Sequence, residues 1–582
     1  MKRFIVAVFC VIAVAAPVLA QTKPDSLASL IQAGNRKTAL DRIRAGADVN
    51  EAQPDGTRPI HWAVYRVDYE LLDALIAKKA KLDVSNEFGA TPIAQAAMLA
   101  DARMVKTLLD AGAGPEGANE DGQTALMLAI KTGELPIVDM LIKAGANVNV
   151  VEKFHNQTPL MWAATATKNA GEMVKLLLSK DANVKPRALY SDWPSQITSE
   201  PRAQYRPTGG LTALLYAARS GCYDCVEAMI GAGANVNVPT PEGVTPLMIA
   251  LDNDHNDIAK LLLDHGANPG VWDWWGRTGL YIAIDRKEGG SSGGLRLGLA
   301  ALPGGRGAGN GRAAPVAARG SGRAPVSTMD IINALLAADV DPGPELNMHR
   351  PSRGGNSGRF IDPLLNTGCT PLLRATMGND MEVVRALLDK GASPNVNDMG
   401  LTAFLVAAGV GTGTRGGTGL AAAASAGGAA NTALMDLLLQ HGADVNAQVT
   451  GTLTYSMRIA RAPSSNEGMT ALHAAAQAGK ADLVRYLLEK GANAEIADAS
   501  GRKPIDLIGG GASGRGAPAL AAATGTLAIA ATPQPAGTAA AGSGAAGAPP
   551  AAAGGGRGGA AGVSPATMAE IRSLLQNAVS KK

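Results

Sequence analysis

Apolar residues recur along this chain in a short pattern that is clearest between residues 469 and 501, MTALHAAAQAGKADLVRYLLEKGANAEIADASG. A first apolar face of one or two turns ends at Gly479, which favours a break in a helix. A second face follows at the i, i+1, i+4, i+5 spacing of an amphipathic helix, formed by Leu483, Val484, Leu487 and Leu488. The pattern predicts two short helices joined by a tight turn. Neither can bury its apolar face alone, so the unit needs stacked copies of itself.

Copies of this unit recur along most of the chain. A threonine or a basic residue stands at the predicted N-cap of each first helix, where a Thr hydroxyl can accept a hydrogen bond from the first turn. The first four such positions are separated by 33, 33 and 34 residues. A glycine lies two residues earlier in almost every copy, which suits a tight turn before the helix. The N-cap positions are Arg58, Thr91, Thr124, Thr158, Thr212, Thr245, Thr278, Thr370, Thr402, Thr470 and Lys503.

These residues resemble the ankyrin repeat, with G-x-T-P-L-H-x-A-A before the first helix and L-L-x-x-G-A-N-V-N after the second. The resemblance implies an all-α ankyrin-repeat solenoid of stacked helix-turn-helix units with finger loops. We expect about twelve repeats, with residues 26–50 as the N-terminal cap and Lys503 onward as the C-terminal cap. It also implies structural hydrogen bonds for His61 and His473. The function it implies is a non-enzymatic, monomeric protein-binding scaffold, whose long fingers and first helices form a concave surface.

Residues 1–20 have the pattern of a secretory signal peptide. Lys2 and Arg3 precede an apolar run, and small residues end at Ala20 as a cleavage site. The run is short for a membrane span, which needs about 20 residues, and no later stretch has a transmembrane pattern. We therefore predict export to the periplasm or beyond, with no membrane span after cleavage. Removal of Lys2 and Arg3 lowers the formal net charge from +3 to +1, so nucleic acid is not expected as a partner.

Two kinds of insertion interrupt the repeats. Residues 289–327, 409–430 and 509–565 are rich in Gly, Ala and Pro, separate the two helices of a unit, and are predicted to be disordered. They divide the repeats into residues 21–288, 328–408 and 431–508, and a capping helix is predicted over residues 566–582. The first insertion carries five arginines and no acidic residue, namely Arg296, Arg306, Arg312, Arg319 and Arg323. An alternative function is therefore binding of an anionic envelope polymer, which steep salt dependence would support.

The second kind lengthens three fingers, at about residues 185–210, 342–368 and 447–468. These segments carry aromatic and Arg residues, the types enriched in interface hot spots. Two further tryptophans lie on a finger of ordinary length. The predicted partner-binding residues are Tyr190, Trp193, Arg202, Tyr205, Arg206, Trp274, Trp275, Arg353, Arg359, Phe360, Tyr455 and Arg458. For Trp62, Trp162 and Tyr216, which fall on first helices, we expect packing against neighbouring units instead.

Motifs with catalytic chemistry are weak in this sequence. Cys222 and Cys225 form a C-x-x-C, but Cys225 falls at an apolar position of the repeat, so we expect a core residue, although an exported chain could oxidise the pair. Residues 289–293 match G-x-S-x-G and residues 411–416 match G-x-G-x-x-G, both without the strand-turn-helix setting that those motifs need. We predict no catalytic residue, metal or cofactor. An exported enzyme with a site built from the finger insertions stays open as an alternative.

The leader generates the first testable prediction. N-terminal sequencing of exported protein should begin at Gln21, because the small residues before it suit signal peptidase. A pool that retains Met1 and stays in the cytoplasm would contradict this.

Overall fold

A computed structural model describes residues 26–191, 208–274, 276–288, 324–344, 369–396, 400–410, 431–450, 467–508 and 563–580. The predicted signal peptide, most of the Gly-rich insertions and the tips of the long fingers lie outside these residues. The predictions of cleavage and disorder that fall there stay predictions.

The described residues form pairs of short helices, which confirms the all-α class predicted from the repeat. The N-terminal pairs are α1 (Leu27–Gln32) with α2 (Arg36–Arg44), α3 (Pro59–Tyr65) with α4 (Tyr69–Ala77), α5 (Pro92–Met98) with α6 (Ala102–Asp110), α7 (Ala125–Thr132) with α8 (Leu135–Lys143), and α9 (Pro159–Ala163) with α10 (Ala170–Leu178). Two short strands follow, β1 (Tyr190–Ser191) and β2 (Thr208–Gly209).

The C-terminal pairs continue the same alternation. They are α11 (Ala213–Ser220) with α12 (Tyr223–Gly231), α13 (Pro246–Asp252) with α14 (Asn256–Asp264), α15 (Gly279–Lys287) with α16 (Thr328–Ala337), α17 (Pro371–Gly378) with α18 (Met381–Asp389), α19 (Ala403–Ala407) with α20 (Thr432–Gln440), and α21 (Ala471–Gln477) with α22 (Ala481–Glu489). A 3-10 helix (Pro504–Leu507) and α23 (Pro565–Ser580) end the stack. None of the helices in the described ranges is long and apolar enough to span a bilayer.

Each first helix begins where the sequence predicts. All eleven predicted positions are N-cap residues, and in each threonine copy the hydroxyl accepts a hydrogen bond from the third helical residue. In the α5 cap, for example, the Ala94 N–H donates to Thr91 Oγ1 across 3.3 Å. The periodic threonines therefore set the register of the stack, because each one fixes where a helix starts.

The structural role expected for His61 and His473 is confirmed. Nδ1 of His61 accepts the N–H of Arg58 across 3.0 Å, so Nε2 carries the proton and donates to the carbonyl of Ala90, also 3.0 Å away. His473 makes the equivalent pair of bonds with Thr470 and Arg502. Burial lowers the pKa of both imidazoles, which keeps them neutral for this arrangement. Each ring thus links its own helix start to the next finger.

One apolar core runs through the stack from Leu27 to Leu575. Trp62 and Trp162 pack against it half-buried, and Tyr216 is buried, as expected for these first-helix residues. Gln157 Nε2 donates to the Tyr216 hydroxyl across 2.8 Å, and burial raises the pKa of that hydroxyl. These rings therefore belong to the stack, because their faces cover neighbouring units.

Asparagine and acidic side chains join the loops that follow successive second helices. Asn149 Nδ2 donates to the carbonyl of Asp181 across 3.1 Å, and Asn149 Oδ1 accepts the N–H of Asn183 across 2.7 Å. Six further side chains bond the next loop in the same way, namely Asn50, Asp83, Glu116, Asn237, Asn395 and Asn446. This ladder satisfies backbone groups that would otherwise lack partners at the helix ends.

The helix pairs interrupted by Gly-rich insertions still pack as pairs. Ser327, at the predicted end of the first insertion, is the N-cap of α16 and forms a capping box with Asp330. Val410, near the predicted start of the second, is buried, and Pro565, at the predicted end of the third, is the first residue of α23. The ordered repeats thus extend a few residues into each predicted insertion.

Cys225 is buried as expected, and it forms a disulfide with Cys222 at the start of α12.

Candidate partner-binding surface

A finger is the loop between the second helix of one pair and the first helix of the next, and a backbone hydrogen bond closes the base of seven ordinary fingers in the described ranges. Its acceptor is the carbonyl of the residue just before the N-cap, and its donor lies four or five residues earlier. In the finger before α3, for example, the Gln53 N–H donates to Thr57 O across 2.8 Å. The same bond joins Asn86 to Ala90, Asn119 to Gln123, Glu152 to Gln157, Thr240 to Val244, Asp273 to Arg277, and Asp498 to Arg502.

Two of the long fingers keep this closing bond. The Ala188 N–H donates to Leu211 O, and the Val449 N–H donates to Met469 O, each across 2.9 Å. In the first of them, β1 and β2 pair antiparallel beyond the base, with Tyr190 opposite Gly209. The insertion therefore extends the tip of a finger whose base is unchanged. The all-α prediction missed this strand pair, because strands of two residues carry no alternation that a sequence can reveal.

Neighbouring fingers are also joined to each other. The Leu189 N–H donates to His155 O across 2.6 Å, and the Trp274 N–H donates to Glu242 O across 2.8 Å. The same kind of bond links the finger before α9 to the finger before α7, through the Lys153 N–H and Asp121 O at 2.7 Å. Successive fingers thus form one continuous strip along the stack.

Large apolar side chains lie exposed on three of four consecutive fingers of this strip, those before α9, α11 and α15. Phe154 is 60% exposed, Leu189 53%, Tyr190 55%, Trp272 66% and Trp274 43%. We call these five residues the aromatic ridge. Pro241, also exposed, lies near Tyr190, because both residues are close to Gly210. A methyl group added at Gly210 would be 3.1 Å from the Pro241 ring and 3.3 Å from Tyr190 Cβ. The ridge therefore runs over the fingers before α9, α11, α13 and α15.

Two of the twelve predicted binding residues, Tyr190 and Trp274, are described and belong to the ridge. The other ten lie outside the described residues and stay predictions: Trp193, Arg202, Tyr205, Arg206, Trp275, Arg353, Arg359, Phe360, Tyr455 and Arg458. The predicted list leaves out the other three residues of the ridge, Phe154, Leu189 and Trp272. The sequence does contain a signal for Phe154, because this aromatic residue stands at a finger-tip position where other copies have an acidic residue, Asp121 or Glu242.

A buried ion cluster supports the finger that carries Trp272 and Trp274. Arg277 Nη1 and Nη2 donate to the two carboxylate oxygens of Asp252, each across 3.1 Å, and Nε donates to Asp273 Oδ2 across 2.7 Å. Burial alone would lower the pKa of the Arg277 guanidinium, but the two carboxylates outweigh burial and hold that pKa above its usual value. The cluster ties the finger to α13, so the exposed rings stand on a fixed base.

This surface presents large apolar side chains together with the exposed Lys153 and Arg187. The carboxylates of Glu152, Glu242 and Asp273, in contrast, are buried. Within the described ranges, no group of three or more His, Cys, Asp or Glu residues is placed to hold a metal ion. A rigid strip of fingers with exposed apolar residues is typical of a recognition scaffold.

Family models identify the scaffold. The model for three tandem ankyrin repeats matches residues 95–188, 196–289 and 404–498, and the model for a single ankyrin repeat matches residues 367–399. Together the matches span more than half of the 582 residues. The chain belongs to the ankyrin repeat family. Ankyrin repeats are in general non-enzymatic scaffolds for protein–protein interaction.

A curated relative shares part of this sequence. Alpha-latrocrustotoxin-Lt1a from Latrodectus tredecimguttatus is 28% identical over 152 residues, which is 25% of this chain and 8% of that protein. The chain thus matches less than a tenth of the length of this relative.

The buried cluster generates a stability prediction. Arg277→Met should remove the cation that neutralises the buried carboxylates of Asp252 and Asp273, and the free energy of unfolding should fall by about 3 kcal/mol. Arg286→Met is the matched control, because Arg286 pairs with Asp254 at a more exposed position, on the helix that Arg277 precedes, and should cost less than about 1 kcal/mol. Urea unfolding followed by tryptophan fluorescence measures both. Equal effects of the two substitutions would contradict the role given to the cluster.

Proposed function

We propose that this protein is an exported, non-enzymatic scaffold that holds a protein partner on the aromatic ridge and the adjoining first helices. The observation that carries the proposal is the ridge itself, where five large apolar side chains are exposed on three of four consecutive fingers. Single exposed apolar residues are common on protein surfaces, but contiguous ones mark sites of interaction.

The finger bonds favour binding energetically. Association costs less when the binding residues are already held in place, because fewer backbone and side-chain rotations are lost. The closing bonds, the bonds between fingers and the Arg277 cluster hold the backbone on which the ridge stands. Burial of its aromatic rings by a partner would then contribute directly, since aromatic side chains dominate interface hot spots.

The first long finger carries further candidate residues for the same interface. Residues 192–207 begin and end on β1 and β2, beside Tyr190. We propose that Trp193, Arg202, Tyr205 and Arg206, which this segment carries, contribute to the same interface. The corresponding residues of the other two long fingers are proposed on sequence grounds alone.

Export is the second part of the proposal. It rests on the leader at residues 1–20, and the Cys222–Cys225 disulfide supports it, because such bonds persist mainly in oxidising compartments. The site of action that we propose is accordingly the periplasm or the exterior of the cell.

A quantitative pull-down tests the proposal. The mature chain and a ridge variant, Phe154→Ala/Tyr190→Ala/Trp272→Ala/Trp274→Ala, are each used as bait in extract from the native envelope. Proteins captured by the wild type should be lost with the ridge variant, because at least one true hot spot is expected to contribute about 2 kcal/mol or more. Circular dichroism melting should be the same for both, since the replaced side chains are exposed.

A matched control removes exposed apolar side chains elsewhere. Tyr65→Ala/Met98→Ala changes two residues at the ends of first helices, 48% and 53% exposed, and should retain the captured proteins. Undiminished capture by the ridge variant would contradict the proposal. Capture that only high salt abolishes would instead favour the Arg-rich loops as an anionic-polymer site.

A further inference from the structure

Charge is distributed unevenly along the strip of fingers. The three fingers before α3, α5 and α7, residues 45–58, 78–91 and 111–124, contain four basic residues, Arg58, Lys78, Lys79 and Lys81. They contain eight carboxylates: Asp48, Glu51, Asp55, Asp83, Glu87, Glu116, Glu120 and Asp121. We call these the acidic fingers. The chain as a whole carries a formal net charge of only +3, so this excess is local.

Some of these carboxylates have structural roles and others do not. Asp83 Oδ1 accepts the N–H of Gly114 across 2.8 Å, and Glu116 Oε1 accepts that of Asn147 across 2.5 Å, so both link neighbouring loops. Glu87, Glu120 and Asp121 are exposed at the tips. Within the part of the chain that the structure describes, none of the eight forms an ion pair.

Two carboxylates on the helices of the same repeats do form ion pairs. Lys106 pairs with Asp110 on α6, and Lys143 pairs with Asp139 on α8, each across 2.7 Å. The exposed Glu87, Glu120 and Asp121 at the finger tips thus differ from these two paired helix carboxylates.

The acidic fingers continue directly into the aromatic ridge. The Lys153 N–H bonds to Asp121 O, which places the finger of Phe154 against the last acidic finger. Two carboxylates of the ridge fingers are buried, since Glu152 is 1% exposed and Glu242 is 5% exposed. Exposed carboxylates are thus concentrated toward the N-terminal end of the strip, beside the exposed Phe88. Large apolar side chains are concentrated toward its C-terminal end, where Lys153 and Arg187 are also exposed.

We propose that this strip binds an extended polypeptide segment of the partner, with Lys or Arg residues over the acidic fingers and adjacent apolar residues on the aromatic ridge. The inference rests on the proposed function and specifies the chemistry of the partner at the same site. Packed helices lie about 8–10 Å apart, and an extended chain advances about 3.3 Å per residue, so each finger meets about three residues. Seven fingers then correspond to a segment of about 20 residues.

The two ends of the strip contribute differently to binding. The apolar contacts on the ridge supply most of the affinity, because they remove water from large side chains. The carboxylates orient the segment and speed its association, since exposed charges act over a distance that salt controls. Any one exposed ion pair is weak, so the effect depends on several carboxylates of one sign.

A labelled peptide tests this inference on the full mature chain. The probe is a fluorescein-labelled 20-residue peptide with four Lys residues in one half and four Leu residues in the other, separated by Gly and Ser. Fluorescence anisotropy gives its dissociation constant for the wild type, the ridge variant and an acidic-finger variant, Glu87→Gln/Glu120→Gln/Asp121→Asn. The control variant Asp73→Asn/Asp110→Asn/Glu489→Gln makes the same charge change on the second helices α4, α6 and α22.

We expect the acidic-finger variant to bind about 10-fold more weakly at about 50 mM salt, and the difference to disappear at about 500 mM, where the Debye length is short. The control variant should stay within about twofold of the wild type, because its changes lie away from the strip. A peptide with Glu in place of Lys should bind the wild type more weakly than the original peptide does. The acidic-finger variant should bind the two peptides equally.

Three results would overturn the inference. They are no peptide binding by the wild type up to about 1 mM, equal binding by the acidic-finger variant at low salt, and equal weakening by the control variant. If the ridge variant alone loses binding, the charge inference fails and the proposed function stands. If neither the ridge variant nor the acidic-finger variant differs from the wild type, both fail.

Discussion

The hydrogen bond that closes the base of nine fingers in the described ranges is the interaction on which the candidate binding surface depends. It joins a finger to the carbonyl just before a helix N-cap, so it fixes the finger to the helix that the threonine starts. The finger before α11 has 22 residues between Ala188 and Leu211, yet it keeps the bond that closes a four-residue span elsewhere. Because the cost of closing a loop grows slowly with its length, tips can lengthen without disturbing the stack.

Bonds between repeats turn separate fingers into one surface. The His61 and His473 rings each reach from a helix start to the following finger, and asparagines such as Asn149 join the loops beyond. Stability in a repeat protein is mainly a sum of such contacts between neighbours. Loss of one contact therefore weakens the two units that share it and leaves distant units intact. This is why the ridge can be altered at exposed side chains while the fold is retained.

The sequence predicts the scaffold well because its signals are local. Thr124 caps α7 through chemistry within one helical turn, and the same signal recurs in most copies. The surface is harder to predict. Whether Phe154 is exposed depends on how its finger lies against the next one, and the Arg277 cluster joins residues 25 positions apart, Asp252 and Arg277. Tyr190 and Trp274 were identified by residue type alone, whereas Phe154, Leu189 and the β1–β2 pair required the structure.

Hydrogen–deuterium exchange on the mature chain, with and without the partner captured by the pull-down, tests the central claim most directly. If the ridge is the interface, amides of residues 151–157, 187–191, 238–244 and 271–276 should exchange more slowly in the complex, because binding covers these fingers and suppresses their local opening. The second helices α8, α12 and α14 of the same repeats should exchange as in the free protein. Slower exchange confined to those helices, with the four fingers unchanged, would contradict the account.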